Sequence, residues 1–242
     1  MLHHELRKLL TLRSTWISAT VACIASAAVA ALLGWAFTSP ELGYSGDSLG
    51  LLQTVARTTG PSLYCAAVLG VTAVRADIRD GVARLTLVRE PRRDRVWAAK
   101  AGATALLAGA ICLLSSLAEV ALVCALFDAV PVAGGLRAVA VHTLVGMSWA
   151  LVGIALGTII DSVLPAVLAV LALPLVIEPL VTALVGGPVA WLPFASGHTA
   201  YALIGGDVGP GASAGGANPA AFLLFVVGLA VLALRRFRTA EV

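Results

Sequence analysis

The residues of this chain that could do chemistry lie in two settings, one polar segment and a few ionisable positions inside apolar runs. The polar segment covers residues 74–100 and contains eight of the sixteen Lys and Arg residues of the chain. It also contains two carboxylates three positions apart, Asp77 and Asp80. Arginine side chains bind carboxylates and phosphates, and paired carboxylates can hold a divalent cation. The segment therefore indicates either a docking surface for a partner or a metal site.

The second setting comprises three ionisable residues within apolar runs, Glu119, His142 and Glu178. With a rise of about 1.5 Å per helical residue, each falls in the outer half of its predicted helix, so the three could share one depth. Ionisable groups in lipid are costly and usually face a cavity or a partner, which makes them candidates for lining a pathway. The alternative is that Glu119 and His142 only reach the outer interface, or that Glu119 pairs with Arg57.

The composition places the chain in a membrane. Its 242 residues are 60% hydrophobic and 12% charged, with a mean hydropathy of +0.97, whereas about 25% of residues are charged in a soluble domain. A span needs roughly 20 apolar residues, so the length allows about six spans. All the cysteines lie within apolar runs, so they indicate neither a disulfide framework nor a metal site; they are Cys23, Cys65, Cys112 and Cys124.

The expected fold is an all-α integral membrane protein with one membrane domain over residues 1–242. Residues 1–15 place leucines on one helical face and basic residues on the other, which predicts an amphipathic helix at the interface. Residues 75–100 are expected to form a cytoplasmic coupling loop between the second and third spans. Residues 186–219 are too apolar for a plain loop and too broken for a span, which indicates an outer, re-entrant segment. The predicted spans are 16–37, 54–74, 101–126, 137–160, 163–185 and 220–234.

The basic residues orient this scheme. With six spans, both termini and the central loop share one side, and every Lys and Arg except Arg57 and Arg137 falls there. Basic residues mark the cytoplasmic side, so we expect both termini in the cytoplasm and the chain in the plasma (inner) membrane.

Two patterns concern helix packing. Gly153 and Gly157 are four residues apart, which favours close helix contact. Pro174 and Pro179 bracket Glu178 and each removes a helix hydrogen bond, so the fifth span is expected to bend there.

The order of residues in the polar segment carries a resemblance. Asp77-Ile78-Arg79-Asp80-Gly81-Val82-Ala83-Arg84 is followed by Leu85 and Leu87, then by Pro91-Arg92-Arg93, and Lys100 opens the next span. This resembles the first cytoplasmic loop of the ABC-2 type transporter permeases, which often reads acidic-x-x-x-Gly-Thr-x-Arg, then leucines, Pro-x-Arg and a closing Ala-Lys. Val82 stands where that family usually has Thr. The amphipathic start, the six spans and the broken stretch before the last span are similar to the same family.

The resemblance implies a permease subunit of an exporter, driven by ATP that a separate ATPase subunit hydrolyses. It implies a homodimer or heterodimer of permease subunits among membrane lipids, with ATP and Mg bound by the partner, no cofactor on this chain and no nucleic acid. It also assigns coupling to the ATPase to eight residues: Asp77, Arg79, Gly81, Arg84, Pro91, Arg92, Arg93 and Lys100.

The residues support a docking role independently of the family. Gly81 would allow close backbone approach, and Pro91 would end a short arginine-rich helix that docks on a partner. The alternative is that the arginines only set topology and bind anionic headgroups. Lys8 and Lys100 are the only lysines and neither follows glycine, so the chain has no P-loop and we expect it not to be an enzyme.

A metal-dependent enzyme is the alternative function. Asp77, Asp80, Gly81, Ala83 and Arg84 look like the front of the CDP-alcohol phosphotransferase signature, in which carboxylates hold a divalent metal. That signature has two residues between its Gly and Ala, where this chain has only Val82. Its downstream Gly and two further Asp are also missing, which leaves an incomplete ligand set.

Overall fold

The computed structural model of the protein describes residues 1–38, 60–127, 133–185, 192–194 and 219–239, and no strand occurs among them. Six of its helices are long and apolar enough to cross a membrane, which confirms the predicted all-α class and number of spans. The helices are α1 (Leu2–Thr11), α2 (Arg13–Thr38), α3 (Gly60–Arg79), α4 (Val82–Arg89), α5 (Arg93–Phe127), α6 (Ala133–Ile159), α7 (Val163–Val185) and α8 (Pro219–Thr239).

The helices flanking the polar segment are longer than predicted. Helix α3 continues to Arg79 rather than ending at residue 74, and α5 begins at Arg93 rather than at residue 101. The predicted loop 75–100 therefore shrinks to residues 80–92, most of which form α4. The physical reason is that polar residues at both ends find partners inside the bundle. Of the predicted outer segment only residues 192–194 are described, and Arg57 lies outside the described residues.

Helices α3 and α6 form the centre of the bundle. In the most apolar 18-residue stretch of each helix, 61% of α3 and 67% of α6 is buried. The corresponding share is 22% for α2 and α8 and 11% for α7. The outer helices therefore turn most of their apolar side chains outward, as a lipid environment allows. In α7 the residues Leu173–Ile177 form a π-helical turn that includes Pro174. The predicted irregularity in the fifth span is thus present immediately before Glu178.

Small residues allow α3 and α6 to approach closely. A Cβ atom added to Gly153 would collide with the backbone of Ala67, and one added to Gly157 would lie 3.0 Å from the Cα of Val71. Gly70 of α3 lies against Gly153, because a Cβ atom added to Gly70 would lie 3.1 Å from the carbonyl carbon of Gly153. The packing role predicted for Gly153 and Gly157 is confirmed, because backbone rather than flexible side chain fills the space.

Helix α1 is joined to the bundle through a sharp connection. Leu12 separates α1 from α2 with an extended backbone, at φ −76° and ψ 128°. The Leu9 carbonyl oxygen at the end of α1 accepts from the Leu12 N–H at 3.2 Å and from the Thr15 hydroxyl at 2.6 Å, so two hydrogen bonds fix this connection. The Leu9 side chain is buried with Ala73 and Ala103. One face of α1 therefore packs on α3 and α5; its place at the membrane interface stays a prediction.

The glycine contact generates a stability prediction. Replacing Gly153 with Leu should force α3 and α6 apart and destabilise the solubilised protein by about 1–3 kcal/mol or more, the usual cost of overpacking. Gly228 is the matched control, since it is an exposed glycine in a spanning helix, and no atom of the described residues lies within 4 Å of the position that a Cβ would take there. Thermal unfolding of both variants in detergent tests this. Equal unfolding temperatures for Gly153→Leu and Gly228→Leu would contradict it.

Candidate functional site

Four charged side chains meet where α1 packs against the ends of α3 and α5. The ammonium groups of Lys8 and Lys100 each pair with one carboxylate oxygen of Asp77. Lys100 Nζ also lies 3.2 Å from Glu5 Oε2. We call Glu5, Lys8, Asp77 and Lys100 the charge cluster. Its two positive and two negative charges balance, and they join three separate helices.

Three members of the charge cluster are shielded from solvent, while the Lys8 side chain is 29% exposed. The side chains of Asp77 and Lys100 are 6% and 9% exposed, and that of Glu5 is 14% exposed. Burial is also the main cause that lowers the pKa of Lys8, while the nearby Glu5 and Asp80 act to raise it. Charges at this depth are tolerated when each is paired, and removal of one partner leaves an uncompensated charge. The four residues therefore behave as one unit.

A second set of contacts closes the same end of the bundle. Arg75 is buried, and its Nε donates to the carbonyl oxygen of Gly157 near the end of α6 at 2.5 Å. Its Nη2 lies 3.5 Å from Asp161, which also accepts from Arg236 of α8 at 2.8 Å. Arg75 and Asp161 were not among the predicted site residues. The available sequence signals were an arginine at the end of one apolar run and an aspartate directly after another.

The start of α5 is joined to the last turn of α8. Arg93 Nη1 donates to the carbonyl oxygens of Phe237 and Arg238, both at 3.1 Å. Asp94 accepts two hydrogen bonds from Arg238, at 2.5 and 2.7 Å. Helix α1, residues 80–92 and the basic end of α8 therefore lie at one end of the bundle, as an even number of spans requires.

The structure separates the predicted coupling residues into two sets. Asp77 and Lys100 face inward and hold helices together, and Arg93 is half-buried against α8. The others lie at the end of α3 or in the connection that follows it. Arg79 is the last residue of α3 and is exposed, Pro91 and Arg92 are exposed, Gly81 precedes α4, and Arg84 lies within α4. Arg79, Pro91 and Arg92 of this second set stand where a partner could touch them.

Residues with special backbone properties set both ends of helix α4. Gly81 has φ +70°, a left-handed conformation that residues with a Cβ rarely adopt, and Glu90 and Pro91 end the helix. No atom of the described residues lies within 4 Å of the position that a Cβ would take at Gly81, so its dihedral angle, rather than close approach within the chain, calls for glycine. Leu85 and Val88 are 69% and 83% exposed. Helix α4 therefore presents apolar side chains outward.

A narrow crevice separates α4 from the bundle. Thr86 of α4 lines one wall, and Trp97 lines another together with Phe237. Three members of the charge cluster, Glu5, Asp77 and Lys100, line the same crevice. Thr86 of α4 and the three cluster members therefore line one crevice at this end of the bundle.

The three predicted pathway residues are all buried. His142 Nε2 and Ser62 Oγ are 2.8 Å apart, and Glu178 Oε1 accepts a hydrogen bond from the Phe194 backbone N–H at 2.8 Å. Glu119 is 2% exposed, and its Oε1 has no hydrogen-bond partner among the described residues. Their contacts run to different parts of the structure. A shared cavity stays a prediction.

The two aspartates of the alternative metal site face different partners. Asp77 binds Lys8 and Lys100, while the exposed Asp80 accepts from Arg79 at 2.9 Å. Within the described parts of the chain, no group of three or more His, Cys, Asp or Glu residues is arranged to hold a metal ion.

The described residues are all-helical apart from short connections. Six of the helices are long and apolar enough to be consistent with a multi-pass membrane protein. No protein-family model matches the chain, and no curated protein matches it at a significant level.

The charge cluster predicts a specific pattern of stability changes. Lys100→Met should leave Glu5 and Asp77 with only Lys8 and destabilise the protein by about 3–5 kcal/mol, as when a buried pair is broken. Adding Glu5→Gln to Lys100→Met restores charge balance, so the double variant should be more stable than the single one. Unfolding in detergent, followed by tryptophan fluorescence, measures both.

Asp94→Asn is the control for this experiment, because it breaks an ion pair at the same end of the bundle whose members are about half exposed. Exposed pairs contribute little, so this variant should unfold like the wild type. A double variant less stable than Lys100→Met would show that the four charges do not act as one balanced unit.

Proposed function

We propose that the chain is the transmembrane permease subunit of an ABC-2 type exporter in the plasma (inner) membrane, coupled through α4 to a separate ATPase subunit. The observation that carries the proposal is α4 itself. It is a short helix between two spans, held at the charged end of the bundle, with two of its large apolar side chains turned outward.

The outward surface of α4 has the composition of a docking site. Leu85 and Val88 are three positions apart and share one helical face, while Arg79, shortly before α4, and Arg92, shortly after it, are exposed. Apolar anchors flanked by cations fit a groove with an acidic rim on a soluble protein. Positive charge needed only for topology would not require exposed Leu and Val at this place.

The inward surface of α4 packs on helices α3 and α5, through which a docked partner could act on the membrane part. Leu87 packs on the apolar cluster that includes Val74 of α3 and Trp97 of α5. Both helices reach the charge cluster within a turn of these residues, through Asp77 and Lys100. A displacement of α4 by a partner would therefore be passed to the ends of two spans and to α1. That is the mechanical requirement for a subunit that has no P-loop of its own.

Several further parts of the assignment belong to the same proposal. Both termini would face the cytoplasm, and two such subunits, identical or different, would enclose one pathway with ATP and Mg on the partner chains. Glu119, His142 and Glu178 would line the outer part of that pathway. The carboxylates of Asp77 and Asp80 are taken by different cations, so nothing favours the phosphotransferase alternative over the permease.

The docking surface generates a binding prediction. The double variant Leu85→Asn, Val88→Asn should reduce co-purification of the ATPase subunit by about tenfold or more, because it removes both apolar anchors from the contact. The partner is the Walker-motif ATPase expected in a neighbouring reading frame, co-expressed with this chain. Arg95→Gln is the matched control, since Arg95 is exposed near the same end of α5 but outside the predicted set.

Thermal unfolding must accompany this experiment, and it should be unchanged in the double variant because both side chains are exposed. Normal co-purification of the double variant, combined with weaker binding to anionic liposomes, would mean that α4 meets lipid headgroups and not an ATPase.

Glu178 generates a transport prediction. Glu178→Gln keeps an oxygen that can accept from the Phe194 N–H, so the buried position of Phe194 should be retained. It removes the ionisable group beside the π-helical turn, so export should fall by more than membrane-inserted protein does. Cellular export or resistance, normalised to protein level, measures the difference. Normal export at normal abundance would make this carboxylate structural only.

A further inference from the structure

A row of polar side chains lies between α2 and α5, away from the charged end of the bundle. Cys23 and Ser26 are three positions apart on α2, and Ser115 and Glu119 are four positions apart on α5, so each pair shares a helical face. The Cys23 Sγ and the Ser115 Oγ are 3.4 Å apart. We call these four residues the α2–α5 polar seam.

Glu119 and Ser26 in this seam have incomplete hydrogen bonding. Their side chains are 2% and 1% exposed, and the Ser26 hydroxyl is the group beside the Glu119 carboxyl. Within the described chain neither Glu119 Oε1 nor Ser26 Oγ has a hydrogen-bond partner. Buried polar atoms are almost always paired. The Ser26 hydroxyl can supply one donor, but an ionised carboxylate at this position would need several donors or a cation.

The other two buried carboxyl groups among the described residues, Asp77 and Glu178, each have an ion-pair or hydrogen-bond partner. Asp77 pairs with two ammonium groups, and Glu178 accepts a backbone N–H. Among the described residues, Glu119 has neither kind of partner at Oε1. An ionised carboxylate inside a membrane-spanning helix pair, without such a partner, is strongly disfavoured. A proton on the carboxyl would remove the charge and let its O–H donate to Ser26 Oγ, which gives both oxygens a hydrogen-bond partner.

We infer that Glu119 is a proton-binding site within the membrane, which holds its proton while the α2–α5 seam is closed. The carboxylic acid donates to Ser26 in this state. Ionisation transfers the proton to water and requires α2 and α5 to separate enough for water to reach the carboxylate. The inference does not depend on the proposed function, since it rests only on the contents of the seam.

Other titratable groups lie near Glu119 and must be distinguished from it. They are Cys112 on α5 and, beside Cys112, Cys23 on α2 and Cys65 on α3. None of them is a carboxylic acid. A reaction specific to protonated carboxyls, located by peptide mass, therefore reports on Glu119 and not on these neighbours.

Dicyclohexylcarbodiimide is a suitable probe, because it enters apolar regions and reacts with protonated carboxyls. The carboxyl O–H adds across one N=C bond to give an O-acylisourea, which rearranges to a stable N-acylurea with no group lost. The full chain, purified in detergent, would be treated at about pH 6 and about pH 9, with adducts located by peptide mass spectrometry. We expect an adduct on Glu119 that falls by about tenfold or more at the higher pH, as a carboxyl ionises.

Glu178 is the internal control, since it is also a buried carboxyl in a spanning helix but has a hydrogen-bond donor. It should be labelled much less than Glu119. A water-soluble carbodiimide should leave Glu119 unmodified while the seam is closed. No adduct on Glu119 in folded protein, or equal labelling at both pH values, would overturn the inference.

Two further measurements separate a proton from another cation. Replacing choline chloride by sodium chloride at fixed pH should leave labelling unchanged, and protection by sodium would show a metal-cation site instead. Glu119→Gln places an amide N–H donor toward Ser26 as the acid O–H does, so its unfolding temperature should equal or exceed that of the wild type. A marked loss of stability in Glu119→Gln, with Ser26→Ala unaffected, would show that Glu119 is ionised and paired.

Discussion

An ionised group surrounded by hydrocarbon and protein has little water to solvate it, so it must meet an opposite charge or give up its own. This constraint governs the charged end of the bundle. Lys100 enters the third span and Asp77 ends the second, and each is buried because the other is present, with Glu5 and Lys8 completing the balance. The ends of two spans and the first helix are consequently held in one arrangement.

That arrangement determines where α4 can be. Because α3 continues to Arg79 and α5 starts at Arg93, only a short connection remains, and the left-handed Gly81 together with Pro91 limits its helix to Val82–Arg89. A connection of this length packs one face on the bundle and exposes the other. The exposure of Leu85 and Val88 is a result of this geometry, and it is the feature on which the proposed coupling depends.

Away from the charges, different physics holds the helices together. In lipid the hydrophobic effect does not drive helices together, so their association depends on close packing. Gly153 and Gly157 allow this by bringing the backbone of α6 against that of α3. The outer helix α7 has little such contact and contains the π-helical turn Leu173–Ile177. The bundle therefore has a tightly packed centre and one irregular peripheral span, where backbone rearrangement would disturb the fewest contacts.

The sequence by itself determined the all-helical class, the six helices long and apolar enough to cross a membrane, and the close contact at Gly153 and Gly157. These depend on the length of apolar runs and on local spacing, because a backbone in lipid must satisfy its own hydrogen bonds. It also located the short helix between Gly81 and Pro91, since both residues act on the backbone directly. Only the tertiary structure decided which polar residues of the central segment face inward. Asp77 and Arg79 are two positions apart and equally polar, yet one is buried and the other exposed. The difference arises because Lys8, a partner of Asp77, comes from 69 positions away along the chain. The same holds for the carboxyls of Glu119 and Glu178, whose hydrogen bonding depends on side chains and backbone groups that local sequence does not specify.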